Sequence, residues 1–365
     1  MRVTLALATA GLAASLLTAC GDDPANEADP DRPTGTATAD PGGLRTTEIA
    51  TGLDTPWGLA PLVGGGLLIG SRDSAEILHL PAGGAEAPRV VGTVDGVRAS
   101  GESGLLGLTL SRDQTTLYAY RTGETENGIV AMSWDGERLG APEEIVGGIP
   151  GGASFHQGGA LALGPDGNLW VGTGDNGVPE DAQDPDSLSG KVLRYTTQGE
   201  PSPDNESGTA VYSSGHRNVE GLVFQGDLLW ASEFGQDQYD ELNLIDQGSN
   251  YGWPEVEGTG GGDQYVDPAV VWSTDDASPS GIASWDGSLW LAALQGERLW
   301  EVVASTDPNG AVSVEEPVAH FVGTYGRIRN TVSTADGSVL WVVTSNTDGR
   351  GDPDDGDDRL IAVTR

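Results

Sequence analysis

One pattern constrains this chain more than any other feature: a turn followed by a short apolar-aromatic strand recurs six times. It reads GGGLLIGSR around Leu68, QTTLYAYR around Tyr118, DGNLWVGT around Trp170, QGDLLWAS around Trp230, DGSLWLAA around Trp290 and DGSVLWVVT around Trp341. The anchors stand 50 to 60 residues apart. A second apolar run precedes each turn: PWGLAPL from Pro56, SGLLGLTLS from Ser103, HQGGALALG from His156, RNVEGLVFQ from Arg217, PSGIASWD from Pro279 and RIRNTVSTAD from Arg327. Two apolar runs joined by an Asp-Gly-type turn form a hairpin. Six such units at near-even spacing predict sheets arranged radially around an axis. The expected fold is all-β, a six-bladed β-propeller over residues 45–365. A two-sheet sandwich or two separate β domains would not keep this spacing.

Composition agrees and excludes alternatives. With 56 Gly and 21 Pro, long helices are disfavoured. Acidic residues outnumber basic ones 55 to 18, for a net charge of −37, so a nucleic-acid phosphate backbone would be repelled. The acidity does not imply disorder, because ten Trp and regular aliphatic positions require a core. A single cysteine rules out a disulfide framework.

Residues 1–19 read as a bacterial lipoprotein signal peptide: Arg2, an apolar stretch from Val3 to Leu17, then Leu17-Thr18-Ala19 before Cys20. Cys20 is the expected lipidation site; an ordinary secretory signal with an incidental Cys is the alternative. Residues 20–44 hold almost no large apolar group and read as an acidic, Pro-rich tether. Together these predict a cell-membrane lipoprotein on the outer face, meeting the membrane through its lipid alone.

The residues opening the repeated strands carry chemistry. Glu102, His156, Arg217, Asn218, Arg327 and Arg329 occupy the same phase of their units, so the propeller should bring them to one mouth of the central channel. A histidine, several arginines and a carboxylate suit an anionic ligand plus a proton acceptor. Neutral His156 can take a proton from an alcohol. Asp175 in GTGDNG can orient its imidazole, or is simply a turn residue. His216 reads as structural, and His79 and His320 as packing residues. The segments DELNLID and NYGWP (residues 240–254) and the acidic run 352–358 offer oxygen donors suited to calcium, although acidic runs are commonly solvated loops. GTGDNG also matches GxGxxG by letter, but no amphipathic helix follows, which excludes a dinucleotide site. Walker A, HExxH, CxxC and GxSxG motifs are absent from the sequence.

The ordered series HQGGALALGPDGNLWVGTGDNG, SGKVLRY, GHRNVEGLVF, SEFGQDQYDELNLIDQGSNYGWP and YGRIRN resembles the glucose/sorbosone dehydrogenase family, whose studied enzymes are six-bladed propellers using pyrroloquinoline quinone (PQQ) and calcium. The resemblance implies His156 as general base with Asp175 supporting it and lying at the substrate. It implies Arg217 and Asn218 at the quinone, and Arg327 and Arg329 on the cofactor carboxylates. The carbonyls of Gly235 and Gln236 would hold the cofactor's calcium, and Glu241 and Tyr251 a second, structural calcium. The implied reaction is oxidation of an aldose at C1 to its lactone, with hydride passing to the quinone and then electrons to an external acceptor. Three departures stand out. Glu102 replaces a Gln near the substrate, Gln295 replaces a Lys at the quinone, and Gln236 replaces a Pro. A non-catalytic propeller binding a sugar or glycan is the alternative. A lactonase-type metal hydrolase would need a carboxylate cage that the His/Arg set does not provide.

Overall fold

The computed structural model describes residues 43–365, apart from Ala85 and Ser207. The expected signal peptide, Cys20 and nearly all of the expected tether therefore lie outside the described residues. Six four-stranded antiparallel sheets are present, as the repeat predicts. Their inner strands are Pro56–Pro61, Leu105–Leu110, Gly158–Leu163, Val219–Gln225, Pro279–Trp285 and Ile328–Ser333. Each inner strand packs beside the next, and the sixth packs beside the first, so the ring is closed. The second strands carry the repeated anchors: Leu67–Ser71, Thr116–Thr122, Leu169–Thr173, Leu228–Glu233, Ser288–Ala293 and Leu340–Thr344.

Blade six is completed from the other end of the propeller. Strand Arg45–Ala50 pairs antiparallel with Leu360–Thr364, with Arg45 opposite Thr364. Blade five carries an extra hairpin, Ala304–Thr306 with Val312–Val314, before its outer strand Val318–His320. Among the described residues the helical structure is one 3-10 turn, Pro179–Ala182.

The repeat has a packing cause. Six buried clusters fill the six seams between neighbouring blades, and each anchor belongs to a different one. Leu68 lies in the seam between blades one and two, and Tyr118 between two and three. Trp170, Trp230, Trp290 and Trp341 follow in order, Trp341 closing the seam from blade six to blade one. Each anchor thus packs toward the following blade, and burying a large side chain there contributes about 2–3 kcal/mol. Glycine serves the axis. A Cβ on Gly107 would lie 2.2 Å from the Gly159 carbonyl oxygen, and one on Gly281 would lie 1.7 Å from Asn330 Oδ1. The neighbouring backbone at Gly107, and the Asn330 side chain at Gly281, leave no room for a Cβ. Every inner strand also breaks register with its partner within its first few residues, so the irregularity repeats with the blade.

Candidate active site

The start of each inner strand pairs with the end of the second: Pro56 with Ser71, Leu105 with Arg121, Gly158 with Thr173, Val219 with Glu233, Pro279 with Ala293 and Ile328 with Thr344. Lead-ins to inner strands and loops after second strands therefore share one mouth of the channel. A cavity of about 580 Å³ lies toward the other mouth, bounded by residues such as Leu110, Leu163, Phe224 and Ser333 at the far ends of the inner strands. The residues singled out from the sequence are at the opposite end.

His156 precedes the inner strand of blade three. Its Nδ1 lies 2.7 Å from Asp175 Oδ1. Asp175, 1% exposed, follows the second strand of the same blade. It also accepts the Gly177 N–H at 2.9 Å and Trp253 Nε1–H at 3.0 Å. Burial opposes its ionisation, but bonds from His156, Gly177 and Trp253 hold its carboxyl below the ordinary carboxylate range. A carboxylate on Nδ1 fixes the proton there and leaves Nε2 as the basic nitrogen. The His156 side chain is 16% exposed, so it reaches solvent at the mouth. Glu102 is also here, but its carboxylate is engaged: Oε2 accepts the His156 backbone N–H at 2.8 Å and Oε1 accepts Arg350 at 2.9 Å.

The arginines gather as expected. Arg217 donates to the Phe234 carbonyl at 3.1 Å and lies over the Trp253 ring, 5.5 Å from its centroid. Arg327 pairs with Asp348 at 3.1 Å. Arg329 pairs with Glu220 at 2.7 Å and reaches Asp348 at 4.0 Å. The Nε atoms of all three are buried without a hydrogen-bond partner. Unpartnered guanidinium donors beneath one mouth fit an anionic, carboxylate-bearing ligand. Asn218 is wholly buried beneath them. Its Oδ1 accepts the Gly158 N–H at 2.8 Å and its Nδ2 donates to Glu220 at 3.1 Å, bracketing blades three and four. Gln295 occupies the equivalent loop of blade five and is exposed. Arg298 does not replace a cation there, since it is held by Asp276 and the Gly296 carbonyl.

Gly235 and Gln236 lie in the loop after the second strand of blade four. Glu257 Oε1 accepts the N–H groups of Gln236, Asp237, Gln238 and Tyr239 at 2.7–3.1 Å, and Asp240 accepts that of Gly235. A loop whose N–H groups converge on carboxylates presents its carbonyls elsewhere, as hard oxygen donors suited to calcium. Glu241 and Tyr251 line one small cavity with Glu233 and Glu257. Burial, then the neighbouring Glu233 carboxylate, raises the Glu241 carboxyl. The Tyr251 hydroxyl is committed to the Leu244 carbonyl at 2.6 Å and the Asp246 N–H at 2.9 Å, and its ring stacks on His216. Side-chain coordination by Tyr251 does not fit. No group of three or more metal-ligating side chains forms among the described residues, the 352–358 run included. There Asp357 and Asp358 bond Asn346, Thr344 and Thr347 instead. His216 is structural as expected, bonded to Ser213 and Glu233. His320 is not merely packed, since its Nε2 meets Glu301 at 3.0 Å.

Sequence reasoning passed over Trp253, Glu220, Asp348, Arg350 and Arg72. Arg72 is buried after the second strand of blade one, and its charge acts on Arg329. Three of the five share a findable signal. Arg72, Asp348 and Arg350 stand in loops after a repeated anchor strand, the phase that Asp175 occupies.

Comparison with known proteins agrees with this geometry. Aldose sugar dehydrogenase YliI of Escherichia coli is 30% identical over 342 residues, covering 81% of this chain and 89% of that protein. Quinoprotein glucose dehydrogenase B of Acinetobacter calcoaceticus is 32% identical over 47% of this chain and 43% of its own length. The solved PQQ-bound aldose sugar dehydrogenase of Streptomyces coelicolor superposes with a TM-score of 0.82 at 49% identity, covering 89% of this chain and 99% of that one. With six blades, a carboxylate-held histidine amid buried arginines, and a match to the glucose/sorbosone dehydrogenase family over residues 53–352, the chain belongs to that family.

Proposed function

We propose that this protein is a PQQ-dependent dehydrogenase that oxidises an aldose at C1 to the lactone. The observation that carries the reading is the His156–Asp175 pair at 2.7 Å, set at the same mouth as three guanidiniums with unpartnered Nε atoms. A relative solved in a PQQ-bound form at 49% identity supports the same cofactor. Arg217, Arg327 and Arg329 would hold the cofactor, and the carbonyls of Gly235 and Gln236 its calcium. PQQ, when bound, supplies the hydride acceptor. His156 Nε2 takes the C1 hydroxyl proton while Asp175 keeps the imidazole in the required tautomer and stabilises its cationic form. Arg217 sets a fixed positive charge where negative charge develops. Trp253 covers Asp175 and excludes water from it.

The sugar- or glycan-binding alternative draws on one observation: Gln295 gives no cation in blade five. The deciding experiment titrates metal-stripped residues 43–365 with PQQ and calcium, then adds a panel of aldoses. Saturable binding followed by bleaching of the quinone absorbance is the expected result. Binding of sugar without any uptake of PQQ would favour the alternative. His156→Ala is expected to lower dye-linked turnover about 10³-fold while leaving the PQQ titration intact. Full turnover in that variant would remove His156 as the base. We further propose that Cys20 carries the lipid, with residues 20–44 as tether. Cys20→Ser should then abolish incorporation of a labelled fatty acid and release the protein from the membrane.

A further inference from the structure

Glu102 leads into the inner strand of blade two, and Arg350 lies in the loop after the second strand of blade six. They are 248 residues apart, yet Arg350 Nη1 donates to Glu102 Oε1 at 2.9 Å. The other oxygen, Oε2, accepts the backbone N–H of His156 at 2.8 Å. One carboxylate therefore ties blades two, three and six together at the mouth. The Glu102 main chain is bound to the same segment, since its N–H donates to the Ser154 carbonyl at 2.8 Å. His156 needs this support. Its φ is +53°, in the left-handed region that residues with a Cβ adopt only when their surroundings hold them there. Glu102 holds its N–H, and the Asn176 N–H holds its carbonyl at 3.1 Å. A charged acceptor makes the first of these the stronger bond.

We propose that Glu102 is a positioning residue for His156: its carboxylate, oriented by Arg350, sets the histidine backbone and through it the approach of Nε2 to the substrate hydroxyl. This role is distinct from the sugar contact that the family resemblance implied, and each carboxylate oxygen already holds a protein donor. The kinetic consequence rests on the reading of His156 as base.

The test compares Glu102→Ala, Glu102→Gln and Arg350→Ala. Gln keeps a carbonyl oxygen for the His156 N–H, and Ala does not. In the PQQ-loaded protein, Glu102→Ala is expected to lower kcat about 30-fold or more, with KM for the aldose within about twofold. Glu102→Gln should recover to within about threefold of the parent kcat, since the hydrogen bond survives. A rise in KM at constant kcat would identify a sugar ligand and overturn the proposal. So would equal losses in Glu102→Ala and Glu102→Gln. A second readout needs neither cofactor nor sugar. The His156 Nδ1 proton, bonded to Asp175 at 2.7 Å, should give a low-field proton resonance in the cofactor-free protein, identified by its absence in His156→Ala. Glu102→Ala should lose or broaden it, and Glu102→Gln should keep it. An unchanged resonance in Glu102→Ala overturns the proposal even if the protein proves to be no dehydrogenase. The Arg350 side chain is 51% exposed, so its removal leaves the fold intact should Glu102→Ala not fold. Arg350→Ala is expected to lower kcat threefold to tenfold, on the order of one lost orienting contact, at an unchanged cofactor titration. An unchanged kcat would sink Arg350's part in the arrangement.

Discussion

Gly174 has no functional group, yet the position of His156 depends on it. A Cβ there would lie 2.0 Å from the His156 carbonyl oxygen and 2.7 Å from Asn218 Oδ1. Neither can retreat, since the carbonyl anchors Asn176 and the Asn218 amide holds blade three. Gly174→Ala is therefore expected to push the histidine off its place and lower kcat about 100-fold, the usual consequence of an ångström-scale displacement. Steady-state kinetics with dye acceptor would measure it; a parental rate would mean that the His156 segment relaxes freely. This residue marks what the sequence could and could not disclose. His156, Arg217, Arg327 and Arg329 were legible because they share one phase of a repeat, and repeat phase becomes position around an axis. The letters GTGDNG suggested a carboxylate for the imidazole or a plain turn, and neither explains why Gly174 is glycine. That reason is a contact with a segment 18 residues earlier in the chain. The partners of Glu102 were hidden for a related reason. Its place at the mouth was readable, but the partners of its two oxygens come from blades three and six.

Lys191 opens the third strand of blade three (Lys191–Tyr195) and is the chain's one lysine. Buried completely, its Nζ donates to the carbonyls of Asp181, Ala182 and Ser189 at 2.7, 3.0 and 2.7 Å. It thus fastens the 3-10 turn to the blade that carries Asp175. Lys191→Met keeps the volume but removes three hydrogen bonds donated by a cation and leaves the Ser189 carbonyl without its donor, at a cost of about 3 kcal/mol or more. The expected result is a Tm lower by roughly 5 °C in calorimetry, and an unchanged Tm would contradict the fastening role. The loop after the second strand of blade six has a comparable fastener with a pH signature. Asp348 is 2% exposed and bonded to Arg327. Burial opposes its ionisation, but Arg327, the Arg350 N–H and Arg329 depress its carboxyl below the ordinary 3.8. A depressed folded-state value stabilises the fold above 3.8, and this contribution vanishes as pH falls through the lower folded value. Asp348→Asn should therefore have a shallower loss of Tm below pH 4 than the parent protein, with a lower Tm at neutral pH. Parallel acid limbs in the two proteins would refute the linkage. The strands themselves were legible, because alternating apolar runs and Asp-Gly turns are local signals. The loops were not, because their order comes from side chains of other strands and loops, within the same blade as well as across to others.

Over the whole ring, each seam needs both of its blades, so closure is a property of the complete set. The sixth blade is finished by Arg45–Ala50 against Leu360–Thr364, and Leu44 just before it is fully buried in the seam between blades five and six. The sequence reading began the propeller at residue 45 from where the polar tether ends. It had no means of seeing that the first strand belongs to the last blade, since no repeat phase distinguishes an outer strand at the start of the chain. The physical consequence is testable on a protein lacking residues 43–50. Without that strand, Leu360–Thr364 becomes an unpaired edge and Leu44 leaves a void, which alone costs about 2–5 kcal/mol. The loss should not stay in blade six. Trp341, Val343 and Leu360 share their cluster with Leu59, Leu67 and Ile69 of blade one, so loosening the sixth blade uncovers the first. Hydrogen exchange is expected to show reduced protection in 360–364, in 340–344 and in 56–71, while the inner strand of blade three (Gly158–Leu163), on the far side of the ring, keeps its own. Lost protection in 360–364 alone would mean that the blades are stable singly. The closing strand would then be a local repair, and the ring a row of independent sheets.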